Sequence, residues 1–138
     1  MRRCLVVANR TLAGPDLVGE VTARAEREPY AFHVVVPATR EHGSMAWTEG
    51  AALAHARHAL DDALARFHDA GIDVTGEVGD ESPMLAIGDA LRRDTFDEII
   101  VSTLPAGASR WLKRDLPRRV EREYGVPVTH VVAVAAVV

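Results

Sequence analysis

The 138-residue chain is 48% hydrophobic and 26% charged, with a formal net charge of -4 and a pI of about 5.8. This suits one compact domain around a single core and argues against nucleic acid as the principal ligand. The single cysteine, Cys4, excludes an intramolecular disulfide and reads as a small buried hydrophobe in a reducing, cytoplasmic protein. The longest apolar run, Val131 to Val138, is too short to span a bilayer, and no basic-then-apolar leader precedes the first strand, so neither membrane insertion nor export is expected.

In chain order, "CLVVAN" (Cys4 to Asn9) is a short β-branched run that predicts a buried strand. Gly14 to Glu28 places Leu17, Val21 and Ala25 on one helical face. "FHVVVPA" (Phe32 to Ala38) predicts a second buried strand, and the irregular "TREHGSMA" (Thr39 to Ala46) follows it as the longest loop. Trp47 to Ala70 predicts a long helix with Leu53, Leu60, Leu64 and Phe67 inward, closed by Gly71 as a left-handed cap. "IDVTGEV" (Ile72 to Val78) alternates like an edge or half-covered strand.

Ser82 followed by Pro83 is a helix start signal, with Met84, Ile87 and Leu91 inward. "EIIVST" (Glu98 to Thr103) is the fourth strand. Asp115 is placed to cap a helix from Leu116, which carries Pro117 in its first turn and ends at Tyr124 and Gly125. "VPVTHVVAV" (Val126 to Val134) predicts a fifth, edge-type strand, since Pro127 near its start removes a ladder donor. Alternation of strand and helix in one chain predicts a parallel sheet covered on both faces, with right-handed crossovers and ligands outside the carboxyl ends of the strands. No repeat or linker divides residues 1–138.

Common site motifs are missing from the loops that matter. There is no G-x-x-x-x-G-K-[ST], no G-x-G-x-x-G after the first strand and no G-x-S-x-G elbow. A phospho-acceptor site would need acidic residues at the first strand ends, where this chain has Asn9. No nucleophile–base or carboxylate pair is assigned by spacing, so no catalytic residue is nominated.

Four segments carry a family resemblance: "CLVVAN", "FHVVVPA", "FDEIIVST" entering its loop, and "RRVEREYGVPVTHVV". With their order they make the whole chain resemble a universal stress protein domain. The resemblance implies a Rossmann-like three-layer α/β sandwich, a five-stranded parallel sheet of order 3-2-1-4-5 with four main helices, and a fold that commonly binds ATP or AMP.

Carried over by position, the resemblance puts Asn9 where ATP-binding members have an aspartate, and Val36 where their adenine meets the backbone. It also implies a loop of glycine, two residues, glycine, nine residues, then Gly-Ser or Gly-Thr. Here Ser102 and Pro105 take the two glycine positions, and Arg114-Asp115 takes the last pair if one residue is inserted. Pro105 removes a donor and fixes φ, and a carboxylate at Asp115 would oppose a phosphate at the helix N-terminus. Family-style triphosphate binding is therefore disfavoured.

Two functional readings follow. One is a non-catalytic, homodimeric stress-response or regulatory module with a degenerate cleft, paired through the edge strand Val128 to Val134 and acting through a protein partner, with no cofactor required. The other is an ATP or AMP binder, with or without slow hydrolysis, that uses a rebuilt loop of Ser102, Thr103, Gly107, Ser109 and Arg110 beside Asn9 and Val36. An enzyme of the wider adenine-binding superfamily is a third reading, for which no catalyst is found.

The basic run Arg110, Lys113, Arg114, Arg118 and Arg119 fits either an anion site or a solvated helix face. Trp111 within it packs over the sheet edge, stacks on a base or meets a partner. His55, His58 and Asp62 lie on the predicted solvent face of the long helix, where three exposed ligands make a poor metal site. His33 and His130 read as hydrogen-bonded strand residues, and His42 and Ser44 of the long loop, with Asn9 and Thr11 across the expected cleft, are candidates to touch a small ligand.

Overall fold

The computed structural model describes residues 1–39, 49–105 and 109–133, and of Glu49, Arg110 and Lys113 only the backbone. The elements run β1 (Arg2–Val7), α1 (Pro15–Arg27), β2 (Tyr30–Pro37), α2 (Glu49–Asp69), β3 (Val74–Gly79), α3 (Pro83–Arg93), β4 (Glu98–Thr103), α4 (Arg110–Lys113), α5 (Leu116–Tyr124) and β5 (Val128–Val132). The strands form one sheet of order β3-β2-β1-β4-β5, and every neighbouring pair is parallel. This is the expected Rossmann-like α/β sandwich, and the four main helices are α1, α2, α3 and α5.

Because side chains alternate along a strand, β1 feeds two cores. Cys4, Val6 and Ala8 face α1 and α2 with Val34, Val36 and Ile100. Leu5 and Val7 face α3 and α5 with Val35, Ile99 and Val101. A strand covered on both faces reads as an unbroken apolar run, which is why β1, β2 and β4 were visible in the sequence. β1 starts earlier than its apolar run, since Arg2 and Arg3 pair with Tyr30 and Ala31 in the ladder although their side chains reach solvent.

The long helix departs from its expected face. Leu53 is 46% exposed, and the inward stripe is Ala52, Ala56, Leu60, Ala63 and Phe67. Alanines let α2 sit close to the sheet, and Leu60 and Leu64 fill the space above Gly76, where an added Cβ would lie 2.6 Å from Leu60 Cδ1. Gly71 (φ 78) and Gly125 (φ 67) end α2 and α5 in the left-handed conformation. Ser82 caps α3 by accepting from Leu85 N at 3.4 Å.

The one-turn α4 was not expected. Ser109 creates it by accepting from the Leu112 N–H at 3.2 Å. Trp111, half-buried, packs on the α3–α5 core. Among the described residues no helix is long and apolar enough to cross a membrane.

Polar residues hold the amino ends of the strands. Arg24 of α1, 7% exposed, donates from Nε to Glu98 Oε1 at 2.6 Å, from Nη1 to Glu20 Oε2 at 2.5 Å and from Nη2 to Thr129 Oγ1 at 3.2 Å. Glu98 also accepts from Arg2 Nη2 at 3.3 Å and from the Tyr30 hydroxyl at 3.2 Å. One cluster thus ties α1 to the starts of β1, β2, β4 and β5. Burial alone would push the Glu98 carboxyl up, but hydrogen bonds and charge from Arg24, with Arg2 and Tyr30, hold it below the usual carboxylate range.

Replacing Arg24 with Ala removes a buried partner and should cost about 3 kcal/mol at neutral pH, the low end for broken buried pairs because Glu98 keeps Arg2 and Tyr30. A carboxyl whose folded pKa is depressed stabilises the fold above its unfolded value of ~4.3, and that contribution fades as pH falls through the folded pKa. Urea unfolding of both proteins should therefore show a gap that is full at pH 7 and shrinks in acid. A gap below about 1 kcal/mol at pH 7, the range of exposed pairs, would contradict this role.

Candidate functional site

In this topology the carboxyl ends of β1, β2 and β4 converge where strand order reverses between β1 and β4, the place where ligands bind in open α/β sheets. The polar residues there are satisfied within the chain. Asn9, just past β1, donates from Nδ2 to the Pro37 carbonyl at the end of β2, at 2.5 Å. The turn after it is held by Leu12 N to Asn9 O at 3.3 Å and Gly14 N to Thr11 O at 2.9 Å. Thr11 is buried, and its Oγ1 lies 2.6 Å from Ser102 Oγ on β4.

Ser102 and Thr103 are each 2% exposed. Being adjacent on one strand, they project to opposite faces. Ser102 meets Thr11, while Thr103 Oγ1 lies 2.8 Å from His130 Nε2 on β5. His130 is exposed as a residue, yet partial desolvation of its ring pushes it below the usual imidazole range. It is hydrogen-bonded as expected.

Val36 is fully buried in β2 between β1 and β3, so its side chain offers no surface. Ser109, 4% exposed, spends its acceptor capacity as the α4 cap, and its own N–H donates to Pro105 O at 3.1 Å. Arg110 opens α4. Its side chain, Gly107, Lys113's side chain, His42, Ser44 and Val134 lie outside the described residues. Of the candidates, the structure brings Asn9 and Ser102 to one strand-end cluster and turns Thr103 and Ser109 elsewhere.

Asp115 corrects an expectation. It holds the N-cap position of α5 with φ 54 and ψ 45, and its side chain makes no cap bond. Side-chain capping uses an extended N-cap residue, and a left-handed backbone removes that geometry. Only its carbonyl serves the helix, accepting from Arg119 N at 3.0 Å. Arg114, Arg118 and Arg119 are exposed, opposite Leu116 and Val120, which are buried.

Two polar groupings have no signal in the sequence, because register alone assembles them. One is the Arg24–Glu98 cluster. In the other, His33 sits between Thr75 Oγ1 (2.7 Å from Nδ1) and Glu77 Oε2 (2.6 Å from Nε2). Arg93 Nη2 reaches both Glu77 oxygens at 2.6 Å. Burial would raise Glu77, but Arg93 and His33 hold it below its ordinary value. His55, His58 and Asp62 are all exposed, and among the described residues no group of three or more His, Cys, Asp or Glu is placed to hold a metal.

No family model matches the sequence, and no curated protein matches it. Solved structures do. A universal stress protein family protein from Burkholderia pseudomallei aligns with TM-score 0.64 at 17% identity over 93% of each chain. One from Arabidopsis thaliana, solved with AMP bound, aligns with TM-score 0.65 at 13% identity over 98% of this chain and 94% of that one. A 4-carboxy-2-hydroxymuconate hydratase from Pseudomonas putida gives TM-score 0.52 at 18% identity over 89% of this chain and 55% of its own. The chain therefore has the fold of the universal stress protein structures.

The Asn9 clasp separates amide from carboxylate. An aspartate there cannot donate to Pro37 O and sets two acceptors face to face, so Asn9→Asp should lose about 1–3 kcal/mol in chemical denaturation. Unchanged or increased stability would mean that the clasp does not hold the strand ends together.

Proposed function

We propose that this chain is a universal stress protein-like regulatory module of the cytoplasm, non-catalytic, that works through protein contacts and not through family-style triphosphate binding. The observation that carries this reading is the internal pairing at the strand ends: Asn9 with Pro37, and Thr11 with Ser102. A nucleotide that used these side chains would have to break these bonds before it gained its own. Each partner left buried and unpaired costs about 1–3 kcal/mol. The departure of Ser102, Pro105 and Asp115 from the glycine pattern supports the same reading.

A homodimer along β5 is part of the proposal. β5 ends the sheet, so its outer backbone edge has no strand beside it among the described residues, and Val128 and Val132 are only half-buried. Such an edge favours pairing with a second copy. Size-exclusion chromatography with light scattering at micromolar concentration should give twice the 15.0 kDa chain mass. A mass of one chain overturns the dimer.

A second reading, AMP binding, is favoured by one observation: the Arabidopsis structure that shares this fold carries AMP. Thermal denaturation separates the two. A ligand at 100 times its dissociation constant adds about 2.7 kcal/mol, several degrees for a domain of this size. The proposal predicts no rise in Tm with millimolar ATP and magnesium. A rise with ATP overturns it, and a rise with AMP alone transfers the conclusion to the second reading.

A further inference from the structure

α1 and α2 lie side by side over the same face of the sheet and do not close on each other. Residues of α1 spaced by three and four, Pro15, Val18 and Thr22, line one wall of a groove. Ala63, Arg66 and Phe67, at the same helical spacing, line the other. The space between them is about 300 Å³, at the lower end of the ~300–1,000 Å³ usual for small-molecule sites. Its floor is apolar and fixed, since Ala63 and Phe67 belong to the core and are 1% and 4% exposed.

The polar groups on the groove are few and of one kind of use. Thr22 offers a hydroxyl, Arg66 offers a guanidinium, and no carboxylate lines the groove. Arg24 on α1 and Arg57 on α2 each hold a carboxylate within the chain, whereas no ion pair forms at Arg66 among the described residues. An apolar slot with one available cation at its rim is complementary to a hydrocarbon that carries one negative charge. A multiply charged phosphate would leave most of its charge against carbon, at high desolvation cost. A neutral ligand would leave the guanidinium unused.

We propose that this groove binds a small amphiphilic monocarboxylate, an aliphatic or aromatic acid whose hydrocarbon part lies on Val18, Ala63 and Phe67 and whose carboxylate pairs with Arg66. Asn9, Thr11 and Ser102 do not line the groove, although Ala13 of the adjoining turn does, so binding at the two places is read on different residues.

The test is a titration followed by ¹H–¹⁵N correlation spectra, with octanoate as probe and octanamide as its neutral counterpart of equal length. Octanoate should saturably shift the amides of Val18, Thr22 and Phe67, and octanamide should bind roughly threefold more weakly, a difference of about 0.7 kcal/mol, within the range of exposed pairs. Arg66→Gln, at an exposed position that leaves the core intact, should weaken octanoate by a similar factor and leave octanamide unchanged. Thr22→Phe, which fills the groove from its rim, should abolish both. Absence of saturable shifts, equal affinity for the two probes, octanoate binding indifferent to Arg66→Gln, or shifts centred on Asn9 and Ser102 would each overturn the proposal.

Discussion

Everything in this molecule answers to the burial of β1 and β4 on both faces. Leu5, Val6, Val7, Ile99, Ile100 and Val101 are all 0% exposed, so no polar group leaves the middle of these strands through either face. A parallel sheet needs helices above and below for this to work, and the right-handed crossovers put α1 and α2 on one side and α3 and α5 on the other. The polar contacts of β1 and β4 thereby fall at the two ends of these strands.

The two ends are used differently. The amino ends are closed by charge: Arg24, held by Glu20 and Glu98, gathers the starts of four strands through buried bonds. The carboxyl ends, where this architecture places ligands, are closed by neutral groups instead. Asn9 spans to Pro37, and Thr11 meets Ser102. A hydroxyl that is buried and paired contributes to the fold, and it reaches a ligand only by giving up that pairing. The same fold serves proteins of unrelated activity, so function must be argued from these contacts and not from the sheet that carries them.

Much of this was legible in the sequence. Apolar runs and their period give the strands, and β4 spans Glu98–Thr103 as expected. Gly71 and Gly125 end their helices, and Ser82 starts one, because capping is local chemistry. What could not be read is what register decides. Arg24 and Glu98 are 74 residues apart, and Asn9 and Pro37 are 28 apart, so no local pattern reveals that they touch. Leu53 was misplaced because alanines, weak in any hydrophobic pattern, form the close-packed stripe of α2. Asp115 looked like a cap, but a cap also requires an extended backbone, which composition does not disclose. The α1–α2 groove was invisible for a similar reason, since it lies between two helices that come side by side only in the fold.

The central claim is that the carboxyl ends of the strands are closed by their own side chains. The side-chain amide of Asn9, observed by NMR in the presence and absence of excess AMP, tests it most directly. A closed end predicts a dispersed, exchange-protected Asn9 resonance that AMP neither shifts nor deprotects. An Asn9 amide that exchanges freely in the unliganded protein, or that moves on adding AMP, would contradict the account.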